Sequence, residues 1–145
     1  MRRPVLTFAT AFLVSACLAG AVPAEAGGNG KARPFRAENR FKAVSVSGKY
    51  VRGGKSVVVT AGKLIDKKKD GYAAGVFFKF TRKGRKADVQ AGFIRPKSRP
   101  GLADGPASLN LAGITSRNTG HMYVRECRMA VKATKPSCGP WTRIY

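Results

Sequence analysis

The chain has 145 residues, of which 28 are Lys or Arg, 7 are Asp or Glu and one is His, for a net charge of +21 at neutral pH. That length fits one domain and excludes two large ones. A single apolar run excludes a membrane protein of several spans, and the scarcity of acids weighs against a carboxylate-rich active site. Hydrophobic residues make up 43%, too many for wholesale disorder, so the excess charge must sit on a chain able to form a core.

Residues 1–26 have the pattern of a secretory signal. Arg2 and Arg3 form a basic start, residues 5–19 an apolar stretch too short for a good membrane span, and Ala24-Glu25-Ala26 a small-residue cleavage site. Val14-Ser15-Ala16-Cys17 offers a second reading, a lipobox whose cysteine becomes a lipidated N-terminus. Both readings imply export from a bacterial cell of Gram-positive type. They differ in whether the product is released or anchored through Cys17, and neither leaves a transmembrane segment after cleavage. Cleavage at Ala26 removes two arginines and Glu25, so 26 basic and 6 acidic residues remain, a net of +20. The charge belongs to the exported product.

Residues 27–40 hold Gly, Lys, Arg and Pro with little to pack, and are expected to form a flexible basic arm ahead of a domain over 41–145. From Phe41 the pattern has period two. A first strand is expected over 41–51, with Val44 and Val46 on one face, and a second over 56–65 after an Arg52-Gly53-Gly54-Lys55 turn. Asp66 to Gly71 is a lysine-rich loop with an Asp-Gly turn signal. Over 72–81 the alternation is plainest: Tyr72, Ala74, Val76, Phe78 and Phe80 share one face, and Phe77 and Lys79 lie on the other. A turn at Lys83-Gly84-Arg85 leads to a hairpin partner over 86–94, with Ala87, Val89, Ala91 and Phe93 expected inward and Asp88 and Gln90 outward. Residues 96–106, with three prolines and two glycines, form an irregular crossover. Strands follow over 107–114, 121–131 and 141–145. About seven antiparallel strands, with no helical period, repeat or heptad, predict an all-β monomer. The architecture expected is a β-sandwich, with a small β-barrel as the alternative.

Two cysteines follow the signal, Cys127 and Cys138, and in an oxidising compartment they are expected to form a disulfide. His121 stands six residues before Cys127, about 20 Å away along a strand, too far to activate a thiol. Two cysteines and one distant histidine also fall short of a tetrahedral metal site.

The C-terminal run Tyr123-Val124-Arg125-Glu126-Cys127-Arg128, then Cys138-Gly139-Pro140-Trp141-Thr142-Arg143-Ile144-Tyr145, resembles small secreted β-rich proteins of actinomycetes. Those share a signal peptide, an Asp-…-Asp-Gly-x-x-Ala stretch, a Tyr-Val-Arg-x-Cys strand and a Cys-Gly-x-Trp finish. Asp66, Asp70, Gly71 and Ala74 fit the middle element. The resemblance implies fold and export and carries over no catalytic residue.

Three basic clusters fall in turns or at strand ends: Lys67, Lys68 and Lys69; Arg82, Lys83, Arg85 and Lys86; and Arg95, Lys97 and Arg99. One such cluster is ordinarily a solvated loop. Three, with a basic arm and six acids to offset them, predict attraction to polyanions. The candidate partners are cell-wall polymer, acidic polysaccharide, anionic lipid or extracellular nucleic acid, and the first two clusters are the candidate contacts. Basic residues interleaved with aromatics mark many nucleic-acid binders. Here Phe77 stands alone beside Lys79, Trp141 next to a disulfide reads as core, and no stacking platform is visible.

Asp66 and Asp70 flank three lysines, which opposes a calcium loop. No metal or cofactor is expected. A ribonuclease needs a base and an acid about one phosphate. His121 and Glu126 differ by five positions and face opposite sides of a strand, and Glu38 lies in the arm, so no enzyme is expected. Membrane disruption lacks its amphipathic helix. Inhibition of a secreted hydrolase, presented from the 96–106 loop, is the alternative to polyanion binding.

Overall fold

The computed structural model describes residues 30–37, 40–96 and 101–145. The signal segment with its Cys17 alternative, Glu38, and Lys97 and Arg99 of the crossover lie outside the described residues. Ten strands form: β1 (Arg33–Arg36), β2 (Val44–Arg52), β3 (Val57–Asp66), β4 (Tyr72–Thr81), β5 (Asp88–Phe93), β6 (Ala107–Asn110), β7 (Thr115–Ser116), β8 (His121–Ala130), β9 (Ser137–Cys138) and β10 (Thr142–Arg143). No helix occurs among the described residues, so none there is long and apolar enough to cross a membrane. Sheet 1 has the order β1-β2-β3-β6 with β7 also on β3, and sheet 2 the order β10-β8-β4-β5 with β9 on β8. Every pairing is antiparallel. The sheets pack face to face as a sandwich and keep separate edges, so the barrel alternative falls.

Alternation explains the interior. Val44, Val46 and Tyr50 of β2 and Ala74, Val76, Phe78 and Phe80 of β4 point into one core, joined from β8 by Met122 and Val124. Strand β3 hides its period. Val57 and Val59 face inward before a bulge, and Leu64 and Asp66 do so after it. The register passes from Lys49↔Ala61 to Tyr50↔Val59, leaving Thr60 unpaired. One extra residue switches which parity of the strand faces the core.

Three expectations need correction. The arm over 27–40 is not flexible throughout: Arg33–Arg36 pairs with β2 as an edge strand. Its only large apolar side chain, Phe35, is buried and meets Phe78 edge-on at 5.7 Å. The ring has room because β2 carries Gly48 beneath it; a Cβ there would stand 2.7 Å from Phe35 Cε1. A single well-seated aromatic fixes a segment whose composition reads as solvent-loving. Second, the strand expected over 107–114 stops at Asn110 as β6, and β1, β7 (just beyond that range) and β9 are additional, giving ten strands where seven were expected. Third, β5 is inverted. Phe78 pairs with Gln90 and Lys79 with Val89, so Asp88 and Gln90 face the sandwich while Val89 is 51% exposed. Gln90 Nε2 donates to Asp88 Oδ2 and to the Thr115 carbonyl, which ties this edge of sheet 2 to β7.

The loop carboxylates are committed to backbone. Asp66 Oδ1 accepts from Lys68 N–H and Oδ2 from Ala74 N–H. Asp104 Oδ1 accepts from the N–H groups of Asp70 and Gly71, and Gly71 sits at φ 83°. The Asp-Gly-x-x-Ala stretch is thereby a turn whose Asp66 caps the start of β4.

Glu126 is fully buried on the core side of β8. Its Oε1 accepts from Phe41 N–H at 2.6 Å, latching the 40–43 turn onto sheet 2. Desolvation raises its pKa, against the lowering by hydrogen bonds from Phe41 and Arg40 and by Lys67. The folded-state value therefore lies above the unfolded one. The folded chain binds this proton at higher pH, so the ionised carboxylate costs stability above its folded pKa, and stability rises as pH falls through that value. Asp66, raised mainly by burial, acts in the same direction. Glu126→Gln keeps the acceptor for Phe41. Its melting temperature at neutral pH is expected to equal or exceed that of the parent, with a flatter gain on acidification. A lower melting temperature at neutral pH, with less loss on acidification than the parent shows, would mean that the charge stabilises the latch.

Candidate functional site

Alternate strands return the chain to the same end of the sandwich. The β2–β3 turn, the β4–β5 turn and the β7–β8 loop meet at one end and enclose an open cleft of about 970 Å³. Each wall has a local cause. Gly53 N–H donates to the Ser56 carbonyl at 2.8 Å to close the first turn, and Arg85 N–H to the Arg82 carbonyl at 3.1 Å to close the second, with Gly84 at φ 75°. The loop is fastened from within. Buried Asn118 donates through Nδ2 to the Lys86 carbonyl at 2.9 Å and the Phe80 carbonyl at 3.3 Å, while its N–H donates to Ser116 Oγ. One amide side chain thus holds the third wall against the second.

The lining is cationic: Lys55, Arg82, Arg85 and Arg117, against the single carboxylate of Asp88. All four cations are exposed, while Ser56, Thr115, Ser116 and Asn118 make the floor polar. Gly54 is shared with a second depression of about 380 Å³ that adds Lys31, Arg33 and Arg52. Arg52 is held in place, its Nε donating to the Thr119 carbonyl at 2.8 Å and its guanidinium 4.6 Å from the Tyr145 ring centroid. Burial pushes the Tyr145 phenol up to about 12, so this ring stays neutral beside Arg52. One end of the sandwich therefore gathers seven cations around two connected depressions.

The seven sequence-predicted contacts do not form one site. Arg82 and Arg85 line the cleft, and Lys83 and Lys86 are exposed on the same turn. Lys67, Lys68 and Lys69 are also exposed but follow the far end of β3. The ten residues of β4 stand between the two groups, roughly 30 Å of strand. Lys55, Arg117 and Arg52 were missed because none belongs to a basic run: two glycines separate Arg52 from Lys55, and Arg117 stands alone in its loop. Their signal was available: turns one strand apart fall at opposite ends of a sandwich, and turns two strands apart fall at the same end.

Cys127 and Cys138 are bonded, directly opposite each other in register. The bridge sends the chain back along β8, and Trp141 lands on the outer, solvent-facing surface of sheet 2, partly exposed rather than in the core. Phe77 is not alone there either. Lys79 Nζ lies 4.5 Å from the Tyr123 ring centroid and 4.7 Å from Trp141; Arg125 lies 4.2 Å from Trp141 and 5.1 Å from Phe77. Aromatic and basic residues far apart in sequence interleave on this face, where the sequence showed Phe77 alone beside Lys79. His121 lies on the same outer side and accepts from Arg143 at 3.0 Å, whereas Glu126 is on the core side. The two are on opposite faces of β8.

No protein-family model matches the chain, and comparison with curated proteins and with solved structures finds no match.

Proposed function

We propose that the protein is an exported, non-enzymatic cationic protein that binds polyanions through the basic cleft at the β4–β5 end. The observation that carries the reading is the meeting of Lys55, Arg82, Arg85 and Arg117 around one cleft with a single acid among them. Like charges gathered on fixed turns repel one another, and a polyanion relieves that repulsion while releasing its own counterions. The signal-like start of the chain and the Cys127–Cys138 bridge support export into an oxidising compartment. Cell-wall polymer, acidic polysaccharide and nucleic acid all present the charge this cleft takes.

The test is retention on purified cell wall and on immobilised single-stranded DNA across a salt series. Affinity is expected to fall linearly on logarithmic axes. Lys55→Gln, Arg82→Gln and Arg117→Gln combined should reduce the slope by about 2, at roughly 0.7 per lost phosphate contact on single strands. Neutralising Lys67, Lys68 and Lys69 together should change it less. Salt-independent retention, or equal loss from the two triple variants, removes the cleft from the proposal.

A further inference from the structure

The outer face of sheet 2 carries an arrangement that simple attraction to negative charge does not require. Strand register builds it in rows. Phe77 of β4 pairs with Arg125 of β8, and Trp141 follows beside Arg125 just before β10; one row on, Lys79 pairs with Tyr123, which pairs with Arg143. Rows are two residues apart, about 6.6 Å along a strand. Within them two cations each lie against two rings, Lys79 on Tyr123 and Trp141, and Arg125 on Trp141 and Phe77. Phe93 closes the far side by lying over Gly75, where any Cβ would strike its ring, and by meeting Phe77 edge-on at 5.9 Å.

Two features of the face select its ligand. It is positive, with Lys79, Arg125 and Arg143 and no acid among the residues of these rows. It is also rich in π groups, and guanidinium planes and aromatic rings both stack on flat groups. A phosphate or uronate polymer without rings satisfies the first feature and leaves the second unused. Single-stranded nucleic acid satisfies both, since it repeats an anionic phosphate and a flat, unpaired base. A duplex keeps its bases stacked on each other and does not present them. Position agrees as well. The next row is Thr81 and His121, and Arg82 of the cleft follows at once, so a strand lying across the rows leads its backbone toward the basic end.

We propose that the outer face of sheet 2 is a stacking platform for single-stranded nucleic acid, with bases on Trp141, Tyr123 and Phe77 and phosphates on Lys79, Arg125 and Arg143. This rests on the polyanion reading and narrows it, adding base contact to charge.

Trp141 is the only tryptophan in the chain, so its fluorescence reports on the platform directly. The experiment titrates the protein at low salt with a short oligothymidylate, with an abasic oligomer carrying the same number of phosphates, and with polygalacturonate. The expected result is quenching of Trp141 by oligothymidylate and at least tenfold tighter binding of it than of the abasic oligomer, since stacking contributes about 1–3 kcal/mol per base. Tyr123→Leu, in a variant shown to melt cooperatively, should weaken oligothymidylate binding by about fivefold or more, part of the way to the abasic affinity, and leave the abasic oligomer unchanged. Equal affinity for the two oligomers overturns the platform and leaves polyanion binding standing, provided both bind with a salt slope set by the cleft. Quenching by polygalacturonate but not by oligothymidylate overturns it in favour of an acidic sugar ligand. Failure of all three to bind overturns both readings together.

Discussion

Phe78→Ala is expected to lower the unfolding free energy by about 3–5 kcal/mol, a large share of what a domain of this size holds in reserve. Phe78 is fully buried at the centre of β4. It meets Phe35 of sheet 1 edge-on at 5.7 Å and stacks beside Phe80 at 6.2 Å. It therefore joins the two layers, and its loss opens a cavity that the flanking strands cannot close without giving up ladder hydrogen bonds. A shift in the chemical-denaturation midpoint at unchanged slope measures the effect. Phe35→Ala removes the other half of the pair and tests a separate point. Because Phe35 is the one large side chain that β1 places in the core, beside its pairing with β2, proteolysis at Arg33 and Arg36 should quicken in Phe35→Ala by more than global stability predicts. A Phe78→Ala loss below about 1.5 kcal/mol would show that the sheets are not closely packed at this layer.

The contrast between β4 and β5 shows how much of this was legible. In β4 one face is uniformly apolar and central, so alternation alone reveals the inward side. Strand β5 has an edge position, where each face is only partly covered, and apolar content no longer selects the side. Its inward Gln90 donates to the Thr115 carbonyl, a partner invisible until β7 is placed beside it. The bulge at Thr60 hides the period of β3 for a different reason: parity is kept on each side of it and broken across it. The site follows the same division. Arg82 and Arg85 stood out as a cluster in sequence. Lys55 and Arg117 become their neighbours only through the alternation of turns between the two ends. The outer face was the least legible, because Phe77, Tyr123 and Trp141 lie on three chain segments and only strand register brings them side by side. In sequence Phe77 lies near Lys79, Tyr123 near Arg125 and Trp141 near Arg143, but nothing there shows that the three pairs share one face.

Removing the Cys127–Cys138 bridge is expected to destabilise the fold by roughly 3 kcal/mol, from the chain entropy of closing a loop of this separation. For a domain of this size that corresponds to a fall in melting temperature on the order of 10 °C. The local consequence is the more informative one. The bridge joins residues 11 apart and sets β9 against β8. It is followed immediately by Gly139, whose N–H donates to the Glu126 carbonyl at 2.9 Å, and then by Trp141 over Arg125. Beyond Gly139 the stretch is held to β8 by the short β10 pairing, the Ile144 N–H to Met122 carbonyl bond and Arg143 on His121, and to sheet 1 by Tyr145 stacked on Tyr50 at 5.2 Å. In the Cys127→Ala, Cys138→Ala double variant the C-terminal segment should therefore loosen before the sandwich does. The expected sequence on heating is a red shift of Trp141 emission at a temperature below the loss of β-sheet circular dichroism, where the parent shows a single transition for both probes. Coincident transitions in the variant would mean that the β10 pairing and the cation–π contacts of Trp141 suffice to hold the platform. In that case the disulfide serves global stability alone.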